Sequence, residues 1–458
     1  MTRISLIEVK ALCRADPSLK AMWPYHPELI ARPVPRYTSY PPATAFGEAV
    51  GQEAQADALA QVAAGTPLSL YLHIPYCQQI CWYCGCNTGA AGRSHRLSSY
   101  LAALEGEIAL VARLLGGRGK LHRIAFGGGS PNAIEPIAFV RLMDRLLTIF
   151  GEMHSAPDVS VEIDPRAFTM PWAMTLATAR VTRVSFGVQS FDPDIQASIG
   201  RIQPVAMIED CITALRTRGI SQINFDLMYG LPNQTVDRLD TTLDHVLRMR
   251  PSRVALFGYA HVPQMFPRQR RIDAAALPGP AERFAQAAHG HERLVREGYV
   301  AIGFDHFALP DDPLAKAAAE GRVRRNFQGF TEDQAEAMVG LGASAISLFP
   351  DVIIQNEKNA GAYRERIAVG SLAGARGVIR RPEDRQRAAV IEQLLCQLRA
   401  IPDSRLIDAQ LEEALTGFAA LGLVERSGGV LRITEQGRPY ARNIAAAFDR
   451  HSPVSATI

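Results

Sequence analysis

The feature that most constrains this chain is a group of cysteines directly after a strand-like apolar run. Residues 71–86 read Y-L-H-I-P-Y-C-Q-Q-I-C-W-Y-C-G-C, which places Cys77, Cys81 and Cys84 in a C-x3-C-x2-C spacing. The proline before them and the glycine after them predict a tight loop rather than a helix. A loop lets three thiolates surround one inorganic centre.

Thiolate ligands select zinc or iron-sulfur centres. With only three protein thiolates, a four-iron cluster keeps one iron open for a ligand that is not protein. One alternative is a closed zinc site with Cys86 as fourth ligand, although zinc sites usually pair two short cysteine motifs across a longer separation. Another is a buried group of cysteines without metal. We favour the iron-sulfur cluster.

The composition excludes several classes of protein. The chain has 458 residues, 47% hydrophobic and 21% charged, which fits a globular protein of more than one domain. A net charge of +3 is too small to indicate nucleic acid. The N-terminal M-T-R-I-S-L-I-E-V-K is interrupted by Glu8 and Lys10, so we expect no leader, no membrane anchor and a cytoplasmic location. Seven cysteines, an odd number, argue against a disulfide framework.

Strand-like and helix-like patterns alternate from Leu68 to about Ile346. The strand candidates are residues 68–74, 122–126, 159–164, 183–189, 223–228, 253–259 and 299–304. Most are separated by stretches long enough for a crossover helix. This alternation predicts a parallel sheet, either doubly wound or closed into a full or partial β/α barrel.

Three of these strands carry polar residues opposite their apolar face. Glu162, Gln189 and Asp226 alternate with aliphatic or aromatic neighbours near the ends of their strands. Because β/α folds bind ligands at the carboxyl ends of their strands, we expect these groups to meet a ligand there. An internal hydrogen-bond network, or exposure at the end of the sheet, is the alternative.

Other motifs carry weaker signals. R-I-A-F-G-G-G-S-P, residues 123–131, predicts a strand running into a triple glycine whose backbone can approach a ligand closely. Arg201 follows the second of the polar strands, the one that ends at Gln189, and a surface position is the ordinary expectation for an arginine. His261 and His306 stand beside aromatic residues, and we expect core histidines rather than ligands.

The two ends of the chain differ from its middle. We expect an N-terminal arm over residues 1–65, because residues 32–46 are dense in proline and aromatic side chains. The β/α unit then covers residues 66–376. Residues 377–458 predict amphipathic helices and a hairpin about a Ser-Gly-Gly turn, similar to a winged helix. Those helices have no single basic face, so we expect a lid or packing domain.

Together these motifs resemble the radical S-adenosylmethionine (SAM) enzymes and, more narrowly, the oxygen-independent coproporphyrinogen III oxidases. The narrower resemblance rests on the C-x-C of Cys84 and Cys86 and on three further motifs: R-Y-T-S-Y-P at residues 36–41, R-N-F-Q-G-F at residues 325–330 and G-A-S-A-I-S at residues 342–347. That family has G-G-G-T-P where this chain has G-G-G-S-P. The resemblance covers nearly the whole chain and implies an α/β fold: a partial, TIM-like β/α barrel with an N-terminal arm and a mostly helical, winged-helix-like C-terminal domain.

The resemblance also implies cofactors and residue roles. Cys77, Cys81 and Cys84 would hold a 4Fe-4S cluster whose open iron binds SAM, and an electron from the cluster would split SAM to a 5′-deoxyadenosyl radical. The residues that would line this SAM are Tyr71, Gly128, Glu162 and Ile346. Those that would line a second SAM are Tyr83, Gly129, Ser130, Gln189, Arg201, Asp226 and Ala260.

The implied reaction converts coproporphyrinogen III to protoporphyrinogen IX in porphyrin and haem biosynthesis. Two propionates lose carbon dioxide and become vinyl groups, and a cofactor is needed because no acid or base side chain removes hydrogen from an unactivated carbon. Arg36 in the arm would meet a propionate. We expect a separate electron donor, a monomer, and no nucleic-acid or membrane partner. The alternatives are a haem-handling relative that shares the cluster and a metal-bearing regulator that binds DNA.

Overall fold

The structure, a computed structural model, describes residues 23–92, 94–151 and 156–451. Residues 1–22 of the predicted arm, with the N-terminal stretch for which we expect no leader, and residues 452–458 lie outside the described residues. None of the helices in the described part combines the length and apolarity that crossing a bilayer requires.

The secondary structure follows the predicted alternation of strands and helices. The strands are β1 (Pro67–Ile74), β2 (Tyr76–Cys77), β3 (Gly89–Ala90), β4 (Lys120–Gly128), β5 (Asp158–Ile163), β6 (Arg183–Gln189), β7 (Gln222–Tyr229), β8 (Arg253–Gly258), β9 (Val300–Ile302), β10 (His306–Ala308), β11 (Arg324–Asn326), β12 (Gly329–Thr331), β13 (Ala337–Leu341), β14 (Ile346–Leu348), β15 (Val352–Asn356), β16 (Gly374–Ile379), β17 (Arg399–Ala400), β18 (Val424–Ser427) and β19 (Val430–Ile433). The α-helices are α1 (Pro27–Ile30), α2 (Gln52–Gln61), α3 (Ser94–Leu115), α4 (Pro136–Phe150), α5 (Met170–Thr178), α6 (Pro193–Ser198), α7 (Val205–Arg216), α8 (Val236–Met249), α9 (Pro280–Arg296), α10 (Pro313–Ala319), α11 (Ala360–Ala368), α12 (Pro382–Gln397), α13 (Ala409–Ala420) and α14 (Ala441–Ala446).

One large sheet organises the described residues. Its 12 strands lie in the order β16-β15-β14-β13-β1-β4-β5-β6-β7-β8-β10-β9. The run from β13 to β8 is parallel, and the strands at both edges pair antiparallel. Helices cross over between most parallel neighbours, as right-handed β-α-β connections require. The prediction of a partial β/α barrel is confirmed.

The alternation of side chains along the parallel strands determines the two faces of the sheet. Val159, Val161 and Ile163 of β5 are buried in the main core against the surrounding helices, and each such side chain contributes about 1.5 to 3 kcal/mol. Glu162, between them, faces the interior of the barrel, where it is an electrostatic neighbour of Asp226 on β7. The predicted inward direction of Glu162 and Asp226 is therefore confirmed.

The last predicted strand differs from expectation. Residues 299–304 form only the short strand β9, because the chain turns at Gly303 with φ +58° and returns as β10. A Cβ on Gly303 would lie 2.1 Å from the ring of Phe330, so only glycine fits this turn. The segment ends the sheet as an edge hairpin and leaves the residues of the turn free to line a cavity.

The arm packs against the helices at the end of the chain. One apolar core is formed jointly by residues from both regions: Trp23, Leu29, Tyr37 and Tyr40 from the arm, and Leu394, Leu415, Tyr440 and Phe448 from the C-terminal helices. Strands β18 and β19 form the predicted hairpin, with Gly428 and Gly429 at positive φ in its turn. Strand β16 crosses residue 376, and the division into 1–65, 66–376 and 377–458 stays a prediction.

An ion-pair network closes the amino-terminal end of the barrel. Arg123 on β4 pairs with Asp158 on β5 at 2.5 Å and with Glu332 at 2.7 Å. Arg253 on β8 pairs with Glu332 at 3.0 Å and with Asp312 at 2.7 Å. Burial alone would raise the pKa of Glu332, but the surrounding arginines hold it well below its usual range. Glu332 therefore connects strands on opposite sides of the barrel.

Replacing Glu332 by Gln should lower the free energy of unfolding by about 3 kcal/mol, because buried guanidinium groups lose their counter-ion. Urea unfolding of the anaerobically purified protein measures the change. Glu320→Gln is the matched control: Glu320 is 54% exposed in its pair with Arg322, so its loss should cost less than about 1 kcal/mol. Equal losses in the two variants would contradict a bridging role.

The stability difference between wild type and Glu332→Gln should also depend on pH. Because the folded-state pKa of Glu332 is lowered, its contribution is complete above the unfolded-state pKa of about 4.3 and is lost as the pH falls below it. The difference in unfolding free energy between wild type and Glu332→Gln should therefore shrink as the pH falls from 7 towards about 3. A difference that grows on acidification would contradict the assignment.

Candidate active site

The cysteine loop leaves the carboxyl end of β1 and lies over that end of the barrel. Two guanidinium groups donate to the sulfur of Cys81: Arg166 Nη2 at 3.2 Å and Arg201 Nη1 at 3.1 Å. These contacts fix the position of Cys81 and place positive charge beside it. A thiolate-bound, electron-rich cluster is favoured by such donors to its sulfurs.

The other thiols of the loop lie in different surroundings. The Cys86 thiol, through a hydrogen bond to Cys84, lowers the pKa of Cys84 to about 6. The backbone N–H of Cys86 also donates to Cys84 Sγ at 3.4 Å. Burial raises the pKa of Cys77 to about 12. Cys86, whose role the sequence left open, is thus a donor to a neighbouring sulfur.

The three thiols of the C-x3-C-x2-C motif lie near one another. Cys81 and Cys84 both lie within electrostatic reach of Cys77. Among the described residues, no three Cys, His, Asp or Glu side chains converge on the position of one metal ion. Thiolate ligands of this kind are the ones that iron-sulfur clusters use.

The triple glycine at the end of β4 joins this strand to the cysteine loop. A Cβ on Gly128, which has φ +107°, would lie 2.4 Å from the ring of His73, and one on Gly129 would lie 2.6 Å from the carbonyl oxygen of Tyr76. The N–H of Ser130 donates to that same carbonyl at 2.8 Å. The end of β4 can therefore pack against the start of the cysteine loop only with glycine at these positions. The Ser130 N–H already has a hydrogen-bond partner within the chain.

Two carboxylates, Glu162 and Asp226, face the barrel interior as electrostatic neighbours. Burial, and then the nearby Asp226, raise the pKa of Glu162 to about 7, although the Gly128 amide donates to it at 3.3 Å. Burial also raises the pKa of Asp226, which accepts hydrogen bonds from Asn224 at 2.8 Å and Ser185 at 3.2 Å. A cationic ligand beside Glu162 would offset this cost, and the ammonium of an amino acid such as SAM fits that need.

Arg201 is only 6% exposed, so the ordinary expectation of a surface arginine is wrong. Its Nε donates to the Gly187 carbonyl at 2.8 Å and to Gln203 at 3.1 Å, and its Nη2 pairs with Asp164 at 3.4 Å. Gln189, at the end of β6 with φ +67°, approaches the same glycine. The buried Arg201 therefore contacts both the Gly187 carbonyl of β6 and the Cys81 sulfur of the cysteine loop.

The remaining predicted residues surround the same end of the barrel. The Tyr71 hydroxyl lies 3.1 Å from His73 Nδ1, and its ring meets Phe327 edge-on at 4.7 Å. Ser130 Oγ donates to Asn132 at 2.5 Å. The other positions are spread along the rim: Tyr83 packs in an apolar cluster beneath the cysteine loop, Ala260 follows β8, and Ile346 begins β14.

Sequence reasoning missed several residues of this site. Burial lowers the pKa of His73 to about 4, and its ring lies within 3.4 Å of Ser344 Oγ. Arg166, in the D-P-R that follows β5, was not singled out, although its place at the carboxyl end of a strand was a usable signal. His306, which is 8% exposed, packs in the core as expected. His261 is only partly buried, with Nδ1 2.9 Å from the Tyr259 hydroxyl, so the expectation of a core histidine is wrong there.

Comparison with known proteins identifies the chain in two stages. The model of the Radical SAM superfamily matches residues 71–246, from β1 through the cysteine loop into α8. A β/α barrel with three thiols after its first strand is the arrangement of that class, and the chain is a member of the Radical SAM superfamily.

Its relatives narrow the family. Over 426 residues the chain is 42% identical to the oxygen-independent coproporphyrinogen III oxidase of Bradyrhizobium diazoefficiens, with 91% of this chain and 94% of the relative covered. It is 36% identical over 428 residues to the Escherichia coli protein of the same name, covering 91% and 93%. The solved structure described as "Coproporphyrinogen III oxidase (HemN) from Escherichia coli is a Radical SAM enzyme" matches with a TM-score of 0.86 and 35% identity, over 91% of this chain and 98% of that one. The chain belongs to the oxygen-independent coproporphyrinogen III oxidases.

Cys81→Ser should abolish cluster binding, because a hydroxyl is a poor ligand for iron in place of a thiolate. After anaerobic reconstitution, iron and sulfide per chain should fall to below about a tenth of wild type. Cys211→Ser, at a buried thiol on α7, is the control and should keep the wild-type iron content. Full iron content in Cys81→Ser would contradict the assignment.

Cys86→Ala should keep the cluster, because the backbone N–H that donates to Cys84 remains. Iron content should stay within about twofold of wild type, while the loss of the thiol donor should shift the redox potential of the cluster. Loss of iron equal to that in Cys81→Ser would make Cys86 a ligand and would contradict the three-thiolate site.

Proposed function

We propose that this chain converts coproporphyrinogen III to protoporphyrinogen IX without oxygen, as a radical SAM oxidoreductase with a 4Fe-4S cluster. The activity is the one that the names of its full-length relatives carry. The single observation in this chain that best supports it is an arginine-rich cavity that opens from the cofactor end of the barrel.

The cavity has a volume of about 590 Å³, within the range of small-molecule sites. It begins at Ala260 after β8 and at Phe327, whose ring contacts Tyr71, and it ends at the arm and the C-terminal helices. Its walls carry aromatic rings and five arginines: Arg32, Arg36, Arg283, Arg325 and Arg442. A flat ring system with several carboxylates fits such walls.

Arg325 gives the clearest sign of an anionic ligand. Its Nη1 is buried and has no hydrogen-bond partner among the described residues. Its Nε and Nη2 donate to the Arg36 carbonyl at 3.4 and 3.3 Å, and the guanidinium lies over the rings of Phe330 at 4.4 Å and Phe304 at 5.0 Å. An unpaired buried guanidinium N–H is costly, and a propionate oxygen would satisfy it.

The protein's contribution is to hold the reactants and exclude water. SAM and a reduced 4Fe-4S cluster, once bound here, would supply the radical chemistry that removes a hydrogen atom from a propionate. Cys77, Cys81 and Cys84 are proposed to hold the cluster, and Glu162 to bind the SAM ammonium from the barrel floor. The aromatic walls keep water from the substrate during the reaction.

Two finer assignments belong to the same proposal. Tyr71, Gly128, Glu162 and Ile346 are proposed to line the SAM on the cluster. A second SAM is proposed near the following residues: Tyr83, Gly129, Ser130, Gln189, Arg201, Asp226 and Ala260. We further propose a separate electron donor and a cytoplasmic monomer that binds neither nucleic acid nor membrane.

Anaerobic turnover tests the function. The reconstituted enzyme with SAM, a low-potential reductant and coproporphyrinogen III should yield protoporphyrinogen IX, detected after oxidation by chromatography and mass spectrometry. Release of 5′-deoxyadenosine without a vinyl product would instead support a haem-handling relative that shares the cluster.

Arg325→Ala should raise the KM for coproporphyrinogen III by about 10- to 100-fold, because a buried charge-assisted contact to a propionate is lost. The KM of Arg325→Lys should lie between those of wild type and Arg325→Ala, since lysine keeps the charge but not the planar guanidinium group. Arg322→Ala, at a side chain that is 51% exposed, is the control and should behave as wild type. An unchanged KM in Arg325→Ala would exclude this contact.

A further inference from the structure

One carboxylate lies among the arginines of the cavity. Asp305 stands in the turn between β9 and β10, with its side chain 15% exposed, and it lines the cavity. Its Oδ1 lies 2.6 Å from His306 Nδ1, whose N–H donates to it. Its Oδ2 accepts no hydrogen bond from the residues that the structure describes. This oxygen is available to a ligand in the cavity.

The Tyr229 hydroxyl lies near Asp305 and near several arginines of the cavity. Burial raises the pKa of Tyr229, the nearby Arg442, Arg283 and Arg36 act against this rise, and Asp305 adds to it. All four charged groups are therefore within electrostatic reach of one hydroxyl. One carboxylate, one hydroxyl and several arginines therefore share the wall of this cavity.

This arrangement matches one oxidation state of the substrate that the proposed function assigns, and the inference rests on that function. Each ring of a porphyrinogen carries a propionate on its edge and an N–H at its centre. Saturated bridging carbons let the rings tilt, so that every N–H can point to the same side. The oxidised porphyrin is flat, and half of its ring nitrogens are acceptors without hydrogen.

We propose that Asp305 accepts the pyrrole N–H groups of the substrate through Oδ2 and thereby selects the reduced tetrapyrrole over the oxidised one. The arginines around it hold the propionates at the edge of the ring system. An ionised carboxylate is an acceptor only, so it binds N–H donors and repels the nitrogen lone pairs of a porphyrin.

The surroundings of Asp305 keep it an acceptor. Burial would raise the pKa of Asp305, but His306, Arg325 and Arg442 together hold it below its ordinary value. His306 also fixes the orientation of the carboxylate through Oδ1, because its ring is held edge-on between Phe257 and Phe330. Asp305 is therefore a specificity-determining group rather than a catalytic one.

The competing interpretation is that Asp305 only neutralises the nearby arginines. A counter-ion would affect the propionate contacts, which the reduced and oxidised tetrapyrroles share, and so it would change both affinities equally. A pyrrole acceptor would change their ratio. The ratio of the two dissociation constants therefore separates the interpretations.

The experiment measures binding to the reconstituted enzyme under strictly anaerobic conditions. Coproporphyrin III is titrated by its fluorescence, and coproporphyrinogen III by competition with it. Wild type should bind the reduced form at least about tenfold more tightly, and Asp305→Asn should lose that preference, because an amide offers a donor where the carboxylate offered an acceptor. Asp305→Glu should keep the preference at a weaker overall affinity. Asp311→Asn, at an exposed carboxylate outside the cavity, should match wild type.

One result would overturn the inference: a preference in Asp305→Asn that equals that of wild type, whether or not the affinity for both forms falls. Iron content and thermal unfolding of the variant show that it is folded, and Asp305→Glu decides the question if Asp305→Asn does not fold. Binding is read without turnover, so the two proposals can fail separately. A wild type that shows the preference but forms no vinyl product overturns the function alone.

Discussion

Charge buried inside the barrel must be compensated, and this constraint separates the two ends of the molecule. At the amino-terminal end, protein supplies both signs: Arg123 and Arg253 meet Asp312 and Glu332 at 2.7 to 3.0 Å. At the carboxyl end, Glu162 faces Asp226 across the interior and its pKa rises to about 7. The ion pairs of the first end lie within the protein, whereas at the second end a cation beside Glu162 would offset the cost of its ionised form.

The close approach of backbone to backbone at the end of β4 explains how the site is positioned. Gly128 and Gly129 leave room for the His73 ring and the Tyr76 carbonyl, where any Cβ would collide. The cysteine loop therefore begins from a fixed point on the sheet, and Arg166 and Arg201 hold its middle through the Cys81 sulfur. A cluster ligand on a loop is precise only when the loop is held at several points.

The sequence predicted local features and missed those that depend on distant partners. The inward direction of Glu162 follows from a period of two along β5, and the tight loop follows from the residues that flank the cysteines. Arg123, Arg183 and Arg253 each stand near the start of a predicted strand, a visible repeat, but Glu332 lies far along the chain and nothing local pairs it with them. Arg201 was expected at the surface because its partners also lie in other elements. Periodicity assigns a face and cannot assign a contact.

The residues of the cofactor site and those of the cavity come from different parts of the chain. The matched superfamily segment, residues 71–246, contains the cysteines and both interior carboxylates. The groups that surround the cavity come almost entirely from outside this segment: Arg36 from the arm, Asp305 from the turn between β9 and β10, Arg325 from β11, and Arg442 from the last helix. The arm and the last helices share one apolar core, so the cavity wall forms only when the two ends of the chain pack together. In the proposed function, radical generation would belong to the barrel, whereas the cavity wall that meets the substrate would depend on long-range packing that no local motif encodes.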